Sequence, residues 1–205
     1  MPTKRILRAS SSTRPARRAP GVLVRSRDLE ARGTPRGAIR RLVDQGRLLR
    51  LGRGIYAPAD FSPTEHHGLA VAAAKVPSAV VCLLSALQFH RLTTQAPFEV
   101  WLAIAGKARK PRLADLPVRV MRFSKRALTE GVELHPIEGV PVRVTSVART
   151  VADCFKYRNK IGLDVALEAL REYRRARRSI DDLVRAARIV RVANVMRPYL
   201  EALAA

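Results

Sequence analysis

RLLRLGRGIYAP, running from Arg47 to Pro58, decides how the first part of the chain is read. Two short apolar runs, Leu48-Leu49 and Ile55-Tyr56, flank Gly52-Arg53-Gly54. Glycine reaches backbone conformations closed to other residues, so the segment predicts two strands joined by a tight turn, a β-hairpin with a cationic tip. Charged strand edges are also common on ordinary soluble sheets, where they discourage edge-to-edge pairing. The arginines Arg47, Arg50 and Arg53 therefore acquire meaning only from their neighbours.

Upstream, the helix signals are regular. Ser26 is expected to cap a short helix through SRDLEARG, with Gly33 beyond its end, and Thr34-Pro35 places a capping hydroxyl and an N1 proline before RGAIRRLVDQG. Gly46 ends that second helix. Along it Ile39, Leu42 and Val43 follow i, i+3, i+4 spacing and face a core with Leu29, whereas Arg36, Gly37, Arg40, Arg41 and Asp44 project outward. Two short helices joined by a tight turn and followed by a basic hairpin predict a winged helix-turn-helix, whose second helix enters the major groove of DNA. A helix expected before Ser26 has little amphipathic pattern in TRPARRAPGVLV.

Arginine's planar fork matches guanine O6 and N7, so Arg36 and Arg40, with Thr34 nearby, are the candidates for base edges. Arg41 shares their exposed face, and Arg47, Arg50 and Arg53 are candidates for phosphate contact. Composition agrees. The chain of 205 residues carries 39 Lys+Arg against 17 Asp+Glu, a formal net charge of +22, with an apolar fraction of 47% that suffices for a core. Such an excess attracts a polyanion, nucleic acid above all.

Residues 1–25 read as a flexible basic arm. Met1 to Arg27 holds eight basic residues and no acidic one, with three serines in a row and too little apolar surface to offset the entropy of ordering. The most apolar region, GLAVAAAKVPSAVVCLLSAL, is interrupted by Lys75 and Pro77, so no membrane span is expected. Cys82 and Cys154 lie in apolar settings without a CxxC partner, which predicts buried free thiols and suits a reducing cytoplasm.

The winged helix is assigned to residues 26–60 and a second domain to 61–205. FSPT supplies a linker with Thr64 as cap for a helix in EHHGLAVAAAKV. A strand VVC, a helix from Ser85 through His90, and strands in EVWLAIA, VRVMRF, VELHPIE and VPVRVT follow, the last two meeting at Gly139. Four helices then run through SVARTVADCFKYR, GLDVALEALREYRRA, SIDDLVRAAR and VANVMRPYLEAL, with Ser146 and Ser179 as caps. The whole chain is thus expected to be α+β, the second domain having a mostly antiparallel sheet under a helical layer.

Catalytic signals are sparse there. Adjacent His66 and His67 point about 100° apart and suit a shared metal poorly. Ser85 and His90, with Asp153 far off in sequence, lack the strained elbow a nucleophilic serine requires. Asp181-Asp182 behind Ser179 fits stabilisation of a helix N-terminus better than a two-metal site. Neither a cofactor nor a metal is expected, nor any catalytic residue.

Taken in order, GRGIYAP, SALQFHRLTTQAPFEVWLAI and VRVTSVARTVADCFKYRNKIGLDVALEALREY closely resemble AbiEi-type antitoxins, the transcriptional regulators of type IV toxin-antitoxin (abortive infection) systems. The resemblance runs from about Ser26 to Ala187, and its last stretch is the most specific. It implies a winged helix that binds inverted repeats in the chain's own promoter and represses the operon. It further implies a C-terminal domain needed to counter a nucleotidyltransferase toxin from a neighbouring gene, without a stable complex between the two. Carried onto this sequence, it points to Arg36, Arg40, Arg50 and Arg53 for DNA. Ser85, Thr94, Arg149, Thr150 and Asp153 become the antitoxin-domain motif. Read from the residues alone, Arg149, Thr150 and Asp153 are either a buried polar network or a functional surface. The basic loop Gly106 to Arg112 and the run Arg171 to Arg178 are either solvated charge or extensions of a DNA footprint. Two other readings compete: an orphan winged-helix regulator, and a nuclease of the D...ExK type, for which FEVWLAI lacks the lysine.

Overall fold

The computed structural model describes residues 22–202. Most of the expected arm, and most of the helix expected before Ser26, lie outside the described residues. Residues 22–25 are built into the fold: Leu23 is buried, and Val24–Arg25 form strand β1.

The N-terminal part runs β1, α1 (Ser26–Ala31), α2 (Arg36–Asp44), β2 (Leu48–Gly52) and β3 (Ile55–Pro58). The strands form an antiparallel sheet in the order β1-β3-β2, with Arg50 opposite Tyr56. The hairpin therefore exists where the glycines predict it, and Gly54 turns it at φ +73°. Caps differ from expectation. Ser26 is the first residue of α1 and its backbone N–H donates to the Gly54 carbonyl at 3.0 Å, so it ties helix to hairpin tip. Pro35 occupies the cap position of α2 without a side-chain bond, while the Thr34 N–H donates to Leu29 O at 2.9 Å and closes the turn between the helices.

Beyond it come α3 (His67–Lys75), β4 (Val80–Val81), α4 (Leu83–Phe89), β5 (Val100–Ala105), β6 (Val118–Phe123), β7 (Val132–Ile137) and β8 (Val140–Thr145). Helices α5 (Val147–Lys156), α6 (Arg158–Ile161), α7 (Leu163–Arg175), α8 (Ile180–Val190) and α9 (Ala193–Ala202) complete the chain. Ser146 and Ser179 cap α5 and α8, accepting from the N–H groups of Arg149 and Asp182. The sheet order is β6-β5-β4-β8-β7. It is mixed rather than mostly antiparallel, because β4 pairs with β8, and β5 with β6, in parallel. The dozen residues 106–117 between β5 and β6 make that possible, since parallel neighbours need a long crossover whereas a hairpin turn enforces antiparallel pairing.

Side chains alternate across the sheet and divide the core in two. Val80, Trp101, Ala103, Met121 and Phe123 pack against α4, α5, α7, α8 and α9. Val81, Val100, Leu102, Ile104, Val142 and Val144 pack on the other face with α3. Leu23, Ile55 and Ala57 belong to this second cluster, so the N-terminal hairpin lies on the small alanines of α3. Both cysteines are buried with free thiols. Among the described residues, no helix is long and apolar enough to cross a membrane.

Candidate nucleic-acid interface

Ile39 is the one fully buried residue of α2, at 2% exposure, with Leu42 and Val43 half-buried beside it. That choice of inward face turns Arg36, Arg40 and Arg41 to solvent, all three exposed. On the hairpin, Ile55 and Ala57 point towards α3 and Tyr56 points the other way. Arg50, paired with Tyr56 on edge strand β2, shares that second face, and α2 packs on β2. Arg47, Arg50 and Arg53 are likewise exposed, and Thr34 is half-buried in the interhelical turn.

Among the described residues, Arg40, Arg41, Arg47, Arg50 and Arg53 make no ion pair. Arg36 differs. Its Nε donates to Glu30 Oε1 at 2.7 Å, clasping the end of α1 to the start of α2, and this bond raises the guanidinium pKa further. To touch a base edge, Arg36 has to exchange that carboxylate for it. Arg25 holds Asp28 at 2.7 Å and keeps its carboxyl below the usual range.

The motif residues of the second domain lie elsewhere. Ser85 is buried and its Oγ accepts the Trp101 N–H at 2.9 Å, locking α4 to β5. Arg149, Thr150 and Asp153 are all 0% exposed. Arg149 donates to Asp153 Oδ1 (3.1 Å), Glu130 O (2.6 Å) and Ala127 O (3.1 Å), with its guanidinium carbon 5.7 Å from the Phe123 ring centre. Thr150 Oγ1 bonds Thr145 Oγ1 at 2.7 Å. Asp153 Oδ2 has no hydrogen-bond partner among the described residues, and burial pushes the pKa of Asp153 up to about 6 against the opposing pull of Arg149. Only Thr94 is exposed; its N–H donates to Glu168 Oε1 at 3.4 Å. Ser85 and His90 are separately engaged, the His90 Nε2–H donating to Thr145 O at 2.6 Å, and burial lowers that imidazole's pKa.

Two features escaped the sequence reading. Glu138 is buried at φ +50°, its Oε1 accepting from the Thr64 N–H (2.7 Å) and hydroxyl (3.0 Å) while Oε2 meets His67 Nδ1 at 2.8 Å. Its carbonyl accepts the Leu23 N–H at 2.8 Å, so one residue joins linker, α3 and N-terminal strand. The other is Arg122, which donates to the carbonyls of Ala105 (3.0 Å), Gly106 (3.1 Å) and Ala108 and so shapes the start of the β5–β6 loop. No local pattern announces either. The Glu-Gly turn alone hints at the first.

This helix pair with its basic ribbon is compatible with a helix-turn-helix DNA-binding module. Residues 16–59, which contain it, match the model of the family described as transcriptional regulator, AbiEi antitoxin. That match supports an antitoxin-type transcriptional regulator and stops before the segments in which Ser85 and Arg149 stand. No curated protein matches the chain. Among solved structures, it is similar to the crystal structure of the RV2827C protein from Mycobacterium tuberculosis, at 17% identity and a TM-score of 0.44, over 84% of this chain and 72% of that one.

Proposed function

We propose that the chain is a sequence-specific, DNA-binding transcriptional repressor acting in the cytoplasm as the antitoxin of a type IV system. On this reading it represses its own operon through inverted repeats and counters a nucleotidyltransferase toxin without holding it in a stable complex; it is not an enzyme. The N-terminal module works as a winged helix-turn-helix, α2 lying in the major groove and the β2–β3 ribbon along the backbone. One observation carries the reading: five exposed arginines of α2 and the ribbon, Arg40, Arg41, Arg47, Arg50 and Arg53, stand without carboxylate partners among the described residues, inside the segment that matches the regulator family. Unpaired cations leave only hydration to give up when they meet phosphate, and their counterpart's condensed ions are released.

A gel-shift on the DNA upstream of the gene tests it. Specific retardation of that DNA over an unrelated duplex is expected. Arg40→Ala should weaken the specific complex by about 1 to 3 kcal/mol more than the non-specific one. Equal losses on both DNAs would make Arg40 a phosphate contact, and no preference for the upstream DNA would end the repressor assignment.

A further inference from the structure

We propose that the β5–β6 loop is a second phosphate-contacting element, which carries the duplex interface from the ribbon onto the C-terminal part of the chain. The inference rests on the DNA-binding reading above and adds a surface to it. A cleft of about 430 Å³ separates the ribbon tip from this loop, with Arg27, Arg53, Lys75, Arg112 and Asp115 in its walls. The carboxylates there are already taken: Asp115 by Lys75 at 3.3 Å, and neighbouring Asp28 by Arg25 at 2.7 Å. Arg53 and Arg112 are left facing one cleft from two elements with no carboxylate partner among the described residues. Lys107, Arg109 and Lys110 continue the loop, all exposed and without one among the described residues, with Lys110 on a separate cleft beside Trp101 and Lys160.

The loop is also held in place. Arg122 gathers the carbonyls of Ala105, Gly106 and Ala108 at its start, and the Lys75–Asp115 pair fixes its far end to α3. The Lys75 ammonium lies against Gly52, so the same anchor touches the ribbon. A tethered loop whose Arg112 shares one cleft with the cationic ribbon tip fits a polyanion with evenly spaced charges, and duplex DNA docked on α2 supplies one. The other basic run, Arg171 to Arg178, lies in the last turns of α7 and just after it, in the helical layer across the sheet from the ribbon, and has no such placement.

The salt dependence of binding to a mixed-sequence duplex of ~30 base pairs, about three helical turns, tests the proposal with the full-length chain and no knowledge of the operator. Each phosphate contact adds about 0.9 to the slope of log affinity against log salt. The double variant Arg109→Ala/Arg112→Ala should lower the slope by about 2, while Arg171→Ala/Arg188→Ala, which removes the same charge from the far layer, should leave it within experimental error. Equal slopes for wild type and loop variant, or equal reductions by both double variants, would overturn the loop's role and leave the winged-helix reading standing. A wild-type chain that binds no duplex at all would overturn both. Thermal unfolding of each variant guards against a loss of fold, and the charge-reversed Arg109→Glu/Arg112→Glu should weaken binding further still.

Discussion

Asp153 shows how much a single buried group decides. Its Oδ1 meets Arg149 and its Oδ2 has no hydrogen-bond partner among the described residues, so the carboxylate is desolvated on both sides and compensated on one. The charged form is disfavoured, and the pKa stands at about 6 rather than near the unfolded value of about 4. Between those values the folded chain retains a proton that the unfolded chain has released. Its contribution to stability is therefore fully present below about pH 4 and is lost as pH rises through about 6, by about 2 to 3 kcal/mol. Asp153→Asn abolishes that dependence. Denaturant titrations of the two proteins at acid and neutral pH should show the wild type losing ground against the variant as pH rises. The opposite slope would mean that Arg149 outweighs burial. Because Arg149 and Thr150 are as buried as Asp153, substitutions at this motif act first on stability, and any loss of antitoxicity has to be read against the unfolding curve.

At the scale of elements, what the sequence made legible is local and what it hid is long-range. Ser146 and Ser179 cap the helices they precede, the glycines at the Arg53 tip turn a hairpin, and Ile39 marks the inward face of α2, all within a few residues of the signal. The apolar run in EVWLAIA and the pattern of VRVMRF reveal strands, but neither names the neighbour that each strand pairs with, so the parallel β5–β6 pairing is not legible in them. The Thr64 hydroxyl accepts the His66 N–H at 3.3 Å just before α3, in the manner expected of a cap, but it also donates to Glu138 in a hairpin far along the chain, which no local signal shows. The basic face of α2 was readable, whereas the clasp of Glu30 on Arg36 depends on an interhelical angle. The Glu138–Gly139 turn joins β7 to β8 through two residues of positive φ, +50° and +74°, the geometry that matches strand twist. A side chain on Gly139 would overlap Val22. Gly139→Ala should thus cost about 1 to 2 kcal/mol of backbone strain and loosen the N-terminal strand. Faster hydrogen exchange at the Leu23 amide, whose partner is the Glu138 carbonyl, is the expected sign, and unchanged protection would refute the coupling.

For the whole molecule, a net charge of +22 has to be reconciled with a stable fold, and the N-terminal hairpin contributes by joining one of the two core clusters. Residues 22–60 are too few to bury a core by themselves, since chains below about 40 residues usually need disulfides, metals or a partner surface. Here α3 is that surface: Ile55 at 2% exposure and Ala57 at 0% sit with Leu69 to Ala74 and the near face of the five-stranded sheet. The exposed Arg50 and Arg53 are consequently presented by a hairpin whose inner side belongs to the C-terminal core. Trp101, the sole tryptophan, lies on the opposite face of that sheet among the helices, and so reports on a region that Ile55 does not touch. Ile55→Ala removes a fully buried side chain and should destabilise the chain by about 2 to 5 kcal/mol. If hairpin and sheet unfold as one unit, the Trp101 fluorescence midpoint falls together with the far-ultraviolet circular dichroism midpoint, although the substitution lies in the hairpin. Two separated transitions, with the Trp101 midpoint unmoved, would mean that the N-terminal module melts independently and that the shared core does not couple it to the rest.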